Sequence, residues 1–345
     1  MMDFFLLWIR FNCDPIAFTI PFIDHPIAWY GCIFALSFYL GHKIFIWMYV
    51  RQSLPKVAIP EKYKSLKVPG SFILNKRNQK LYTFLLKRTS NKDCLETLKL
   101  KLFIEETFPK EVESIQSIGT KFSDSALLYI ITATIIGARL GHIFFYEEIG
   151  AFIQSPLLII KTWEGGLASH GGIFAIIVAS LLFTKKNKTI SFLSFMDLLS
   201  IPTMFVCAWI RIGNFINQEI LGNVTSLPWA IIFMNPAIKG PLYPRHPIQL
   251  YEFFLYMGVF TLLFILWYKN TYRKRRGLFL GLALTVSFSA RFFLEFLKEP
   301  QSIYDTSDIF QMGQLLSLPM IICGFFLINQ SLRLKESLDK KVLED

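Results

Sequence analysis

The chain has 345 residues with a mean hydropathy of +0.44, and 53% of them are hydrophobic, 16% aromatic and only 18% charged. Ordinary soluble domains carry about 25% charged residues, so this composition excludes disordered, coiled-coil and collagen-like classes and points to helices in lipid. The net charge of +11 sits in short blocks between apolar runs, which is the pattern of cytoplasmic loops rather than of a nucleic-acid surface.

In chain order, the first feature is the apolar patch FFLLWI, flanked by Asp3 and Arg10 and lacking a small-residue cleavage site. It reads as an interfacial helix rather than a secretory signal. Seven apolar runs follow, at about 28–50, 125–146, 171–184, 192–210, 248–268, 277–297 and 309–329. The third is short for a span. The segment 51–122 holds 15 Lys and Arg against 7 Asp and Glu, and its FILxxxxxxLYTFLL pattern suits either a strand pair or a short helix. Lys185, Lys186 and Lys188 follow the third run, Lys269 and Arg273 to Arg276 follow the fifth, and Arg333, Lys335, Lys340 and Lys341 mark the tail. The alternate loops 147–170 and 298–308 are acidic on balance. Positive loops face the cytoplasm. The expectation is an all-α membrane protein of seven transmembrane helices, N-terminus out and C-terminus in, with a cytoplasmic insertion after the first helix. Its divisions fall at 1–50 (interfacial segment and first span), 51–122 (basic insertion), 123–331 (transmembrane body) and 332–345 (tail). The five cysteines are dispersed, which excludes a zinc or redox pair.

Charged side chains inside a membrane are costly and mark function by default. Arg139 and His142 are three apart on one helix face, and Arg291 and Glu295 are four apart on another. Asp197 reads as a cap or interhelical partner. Gly137 and Gly141 are a small-xxx-small pair suited to helix packing. Gly165, Gly166, Gly171 and Gly172 bracket His170, and irregular backbone at that depth belongs beside a cavity. An imidazole next to exposed N–H groups is suited to general-base work near an anion. Asn214 and Asn217 follow Arg211 by three and six residues, and Glu219 comes shortly after. A continuing helix would present the first three along one side, where a guanidinium fork and two amides suit a phosphate. No metal or cofactor motif is present.

The motifs GARLGHIFFYE, GGLASHGG, RIGNFINQEILGN, RHPIQLYE and RFFLEFLKEP, with WYG at 29–31, closely resemble those of the bacterial prolipoprotein diacylglyceryl transferases over about two thirds of the chain. The resemblance implies a seven-helix body with a periplasmic head in the bacterial inner membrane, its active site toward the periplasm. It implies an enzyme that moves the diacylglyceryl group of phosphatidylglycerol onto the lipobox cysteine of prolipoprotein signal peptides and releases glycerol-1-phosphate, without a cofactor, a metal or nucleic acid. On the matching positions, His170, Arg211, Arg291, Glu219 and Glu295 would be catalytic. Arg211, Asn214, Asn217, Gly222, Arg291, Tyr30 and Arg139 would bind the lipid. The family's RHPxQLYE block falls on Arg245, His246, Gln249, Tyr251 and Glu252. Three positions depart from the family pattern: Gln218 replaces a usual Gly, Asn223 a common Arg, and Ser287 a frequent Tyr. His170 is the best thiol base by residue type, with Glu219, Glu295 or the arginine field alone as alternatives. A transporter or a non-catalytic lipid-binding protein is the competing reading of the intramembrane charges.

Overall fold

The computed structural model describes residues 8–22, 24–53, 63, 65–86, 92–109, 115–146, 168–237, 240–269, 275–299 and 312–344. Nine helices appear among them: α1 (Trp29–Ser53), α2 (Lys76–Leu86), α3 (Lys92–Thr107), α4 (Ile115–Tyr146), α5 (Ser169–Lys186), α6 (Phe192–Ile216), α7 (Ile248–Tyr268), α8 (Leu278–Glu295) and α9 (Met312–Glu344). Among the described residues, six helical stretches are long and apolar enough to cross a membrane: Trp29–Gln52, Gln116–Phe144, Phe192–Ile216, Ile248–Tyr268, Leu278–Glu295 and Gly313–Arg333. The expected third span corresponds to α5, which is not among these six. Its 18 residues end in Lys185 and Lys186, and the remainder rises about 24 Å at 1.5 Å per residue, against a hydrocarbon core of about 30 Å.

The described residues are mostly helical, as expected, but they also include five short strands that an all-α reading leaves out: β1 (Ile9–Phe11), β2 (Ile16–Ile20), β3 (His25–Ala28), β4 (Ile231–Phe233) and β5 (Pro244–Arg245). Of the FFLLWI patch, expected as an interfacial helix, residues 4–7 lie outside the described residues, and its last residue, Ile9, is extended in β1. Residues 9–11 find a hydrogen-bonding partner, pairing in parallel with β4 in the register Ile9↔Ile231 to Phe11↔Phe233. β5 pairs antiparallel with β4 on its other edge. β2 and β3 form a separate antiparallel ribbon that leads directly into α1. Phe11, Phe215 and Phe233 pack together beneath β1 and β4, with centroids 4.4 to 6.2 Å apart.

The chain divides into two compact units, residues 1–43 with 197–345, and residues 44–196. In the first, the strands sit with α7, α8 and α9, and α8 packs on both of its helical neighbours. Asp197 ties the start of α8 in place: its carboxylate accepts from the Gly277 N–H at 2.7 Å and the Leu280 N–H at 2.9 Å. Free N–H groups at a helix start need such acceptors. In the second unit the described part of the basic insertion carries α2 and α3 rather than a strand pair. Leu74, Leu81, Leu98 and Leu102 bury against Ile46 and Val50 of α1. α4 and α5 cross at backbone contact. A Cβ on Gly171 would collide with the Gly137 carbonyl oxygen, and one on Gly141 would lie 2.7 Å from the Gly171 Cα. Only glycine permits that approach. The glycines Gly165 and Gly166 lie outside the described residues.

Candidate functional site

α6 delivers the first members of the site. Arg211 lies near its end, and its guanidinium donates to the Asn214 Oδ1 at 3.3 Å. Asn214 is one turn on and buried at 5% exposure. The helix stops at Ile216, short of the continuation expected through Asn217. Gln218 and Ile220 take φ values of 52° and 59°, a left-handed region costing about 1–3 kcal/mol for a side-chain-bearing residue. That reversal carries Glu219 back over the helix end, where its carboxylate accepts from the Asn214 Nδ2 at 2.7 Å. Arg211, Asn214 and Glu219 thus form a continuous polar chain that depends on a turn, not on helical spacing. Asn217 donates its N–H to the Gly213 carbonyl at 3.0 Å. Its side-chain oxygen is buried without a hydrogen bond among the described residues.

α7 supplies the counter-charge. Glu252 is fully buried; its Oε2 lies 3.0 Å from the Arg211 Nε and its Oε1 2.8 Å from the Lys298 Nζ. The Arg211 contact lies off the hydrogen-bond direction, so its attraction is mainly Coulombic. Lys298, just past α8, also reaches the Glu295 Oε2 at 3.1 Å. Neither Glu252 oxygen has a hydrogen bond among the described residues, so the two cations meet its charge by Coulombic attraction. Gln249, also on α7, donates its Nε2 to the Glu219 carbonyl at 2.7 Å. Tyr256 presents its ring beneath the Arg211 guanidinium, 5.9 Å from centroid to carbon. Tyr30, in the first turn of α1, packs its ring on Gly213 and lies in the fields of Glu219 and Arg211.

Arg291 on α8 is half-buried and makes no hydrogen bond or ion pair among the described residues. Its field reaches Cys207 and Tyr256, as does that of Arg211. The site therefore holds one arginine neutralised by Glu252 and a second with its fork open, which is suited to an anion. Gly222 is enclosed: a Cβ there would lie 2.7 Å from the His246 Cβ. Its carbonyl accepts from Arg245, which also pairs with Glu299 at 2.8 Å.

Two expected members belong to the second unit. Arg139 is buried on α4 and His170 lies in the first turn of α5, both in the second unit; the side chain of His170 is outside the described residues. The three departing positions all have structural partners. Asn223 donates its Nδ2 to the Phe296 carbonyl at 3.1 Å, Ser287 donates to the Met204 Sδ at 3.1 Å, and Gln218 bonds two distant backbone segments. Sequence reasoning missed Lys298, reading it as a loop charge, and left Glu252 and Gln249 without a role. The i,i+3 spacing of Glu295 and Lys298 was the available signal.

A sequence model described as prolipoprotein diacylglyceryl transferase matches residues 102–329. The phosphatidylglycerol–prolipoprotein diacylglyceryl transferase of Protochlamydia amoebophila is 37% identical over 95% of this chain and 96% of its own length. The protein of that name from Porphyromonas gingivalis is 32% identical over 94% of this chain and 95% of its own. The one from Chloroherpeton thalassium is 43% identical over 59% and 75% respectively. The first two alignments are long enough to include most of 51–122, a segment for which the motifs alone offered no counterpart.

Proposed function

The chain belongs to the prolipoprotein diacylglyceryl transferase family, and from that membership we propose how its residues carry out the reaction. The protein is a transferase of lipoprotein maturation, a multi-pass membrane enzyme that moves a diacylglyceryl group from phosphatidylglycerol to a prolipoprotein. The acceptor is the lipobox cysteine of a signal peptide. Its thiol loses a proton, the sulfur bonds to the glycerol carbon bearing the phosphate ester, and the carbon–oxygen bond breaks. Glycerol-1-phosphate leaves with the bonding electrons, and the peptide keeps a thioether. A thiolate is required because an unperturbed thiol titrates near pH 8.5.

The observation that supports this reading is the half-buried Arg291 on α8, which makes no ion pair among the described residues, while Arg211 is paired with Glu252. Arg291 takes the lipid phosphate and stabilises the charge that develops on the leaving group. Arg211, Asn214 and Asn217 hold the glycerol and phosphate oxygens, Gly222 lets the chain approach closely, and Tyr30 bounds the cluster from α1. Arg139 contributes a further cation to lipid binding. His170 receives the thiol proton, with Glu219 or Glu295 as the alternative acceptors. In the membrane, α5 completes a seven-helix body, with the N-terminus outside, the C-terminus inside and the strands forming a periplasmic head at the inner membrane.

The test is a transfer assay with purified protein, phosphatidylglycerol and a lipobox peptide, followed by peptide mass. The expected result is a diacylglyceryl-sized gain on the cysteine peptide and none on its serine counterpart. Arg291→Lys is expected to lose at least about 10-fold in transfer, because the ammonium lacks the fork. His170→Gln is expected to lose transfer while retaining lipid. Absence of a gain from folded wild-type protein would refute the activity; wild-type rates in either variant would remove that residue from its role.

A further inference from the structure

Glu219 is positioned by a turn, and the turn is held from outside. Gln218, the residue before it, has φ 52°, a conformation that glycine adopts freely and other residues avoid. Gln218 is only 1% exposed, and both ends of its amide are engaged. Its Nε2 donates to the Cys13 carbonyl at 3.1 Å, and its Oε1 accepts the Asn235 N–H at 2.7 Å. Its own carbonyl accepts the Ala237 N–H at 3.1 Å. Cys13 follows β1 and Asn235 follows β4, the two strands that pair with each other. Asn12 and Asn235 are themselves joined side chain to side chain at 2.8 Å. On the other side, Gln249 fixes the Glu219 carbonyl and Asn214 its carboxylate.

We propose that Gln218 is a positioning residue for the transfer reaction: its amide clamps the turn between the ends of β1 and β4, maintains the left-handed backbone, and so sets the Glu219 carboxylate against Asn214, which in turn holds Arg211. The clamp does with a side chain what a glycine does by conformational freedom. It acts through Glu219 and not on substrate. The inference rests on the reading of Arg211, Asn214 and Glu219 as part of the active site.

The experiment compares kcat, KM for phosphatidylglycerol, pH profile and melting temperature of the full chain with those of Gln218→Met, Gln218→Glu, Gln218→Gly and Glu219→Gln. Methionine keeps the size and the backbone strain but loses both hydrogen bonds. A misplacement of about 1 Å costs up to roughly 100-fold in rate, so the expected loss in Gln218→Met is roughly 10- to 100-fold in kcat, with KM within about twofold. Gln218→Gly relieves the strain and retains more activity than Gln218→Met. Gln218→Glu can donate to the Cys13 carbonyl only when protonated, so its kcat relative to wild type rises as the pH is lowered. Wild-type kcat in both Gln218→Met and Gln218→Glu at every pH would overturn the proposal. So would a loss that disappears once activity is normalised to folded protein. Full activity in Glu219→Gln would instead overturn the underlying reading of the cluster.

Discussion

Glu252 has no contact with solvent, so its charge is tolerable only because Arg211 and Lys298 approach it from two sides. Removing one partner of a buried pair typically costs 3–5 kcal/mol, more than the pair contributes relative to apolar groups. Glu252→Gln strands Arg211 and leaves Lys298 to Glu295 alone, and about 3 kcal/mol of stability should be lost, read as a lower melting temperature in detergent. An unchanged melting temperature would show that the two cations find other anions. The residues of this network differ in how legible they were. Arg211, Asn214 and Glu219 lie within nine residues and belong to a chemically distinctive run. Glu252 sits a helix away, and Lys298 looks like any loop lysine until the bend after α8 turns it inward. The left-handed turn at Gln218 was also hidden, since nothing in the residue type announces φ above zero.

At the level of elements, the crossing of α4 and α5 is set by backbone against backbone. Gly171→Ala places a methyl on the Gly137 carbonyl, and separating the helices to admit it should cost about 1–3 kcal/mol, as overpacking does elsewhere. Gly172→Ala is the matched control. Its added carbon lies 3.5 Å from Thr134 and 3.6 Å from Ala138, which is ordinary contact, and the gain in helix propensity of up to about 1 kcal/mol should leave it as stable as wild type or more so. Equal melting temperatures for the two variants would exclude close packing as the reason for the glycine at 171. The long helices were legible because twenty apolar residues in a row admit few other structures. The strands were not: they run from two to five residues, and β1 finds its partner in a distant part of the chain, beyond the reach of any local pattern. The insertion formed helices where the apolar spacing allowed either form, and its leucines found a surface in the end of α1.

For the molecule as a whole, charge distribution and hydropathy identified the membrane class directly from composition. His246, which lies outside the spans, makes one contribution to the loss of stability in acid. Burial pushes its imidazole below the ordinary histidine range. The unfolded chain then takes up a proton near pH 6.5 that the folded chain still refuses, so stability should fall as the pH drops through that value and level off below the folded one. His246→Gln should flatten the acid side of a melting-temperature profile between pH 7.5 and 5; identical slopes would assign the acid response to other groups.

The pairing of β1 with β4, and the bond from Gln218 to Cys13 across 205 residues, also impose an order in time. During synthesis at roughly 5–20 residues per second, the first strand emerges roughly 10–40 s before the segment it pairs with. Through that interval its edge is open and its apolar side chains are uncovered, which makes it a template for wrong partners. The turn that aims Glu219 is likewise unsupported until Asn235 has been made. The clamp on the turn is therefore complete only once the chain has been made through Asn235, some two thirds of the way along its length.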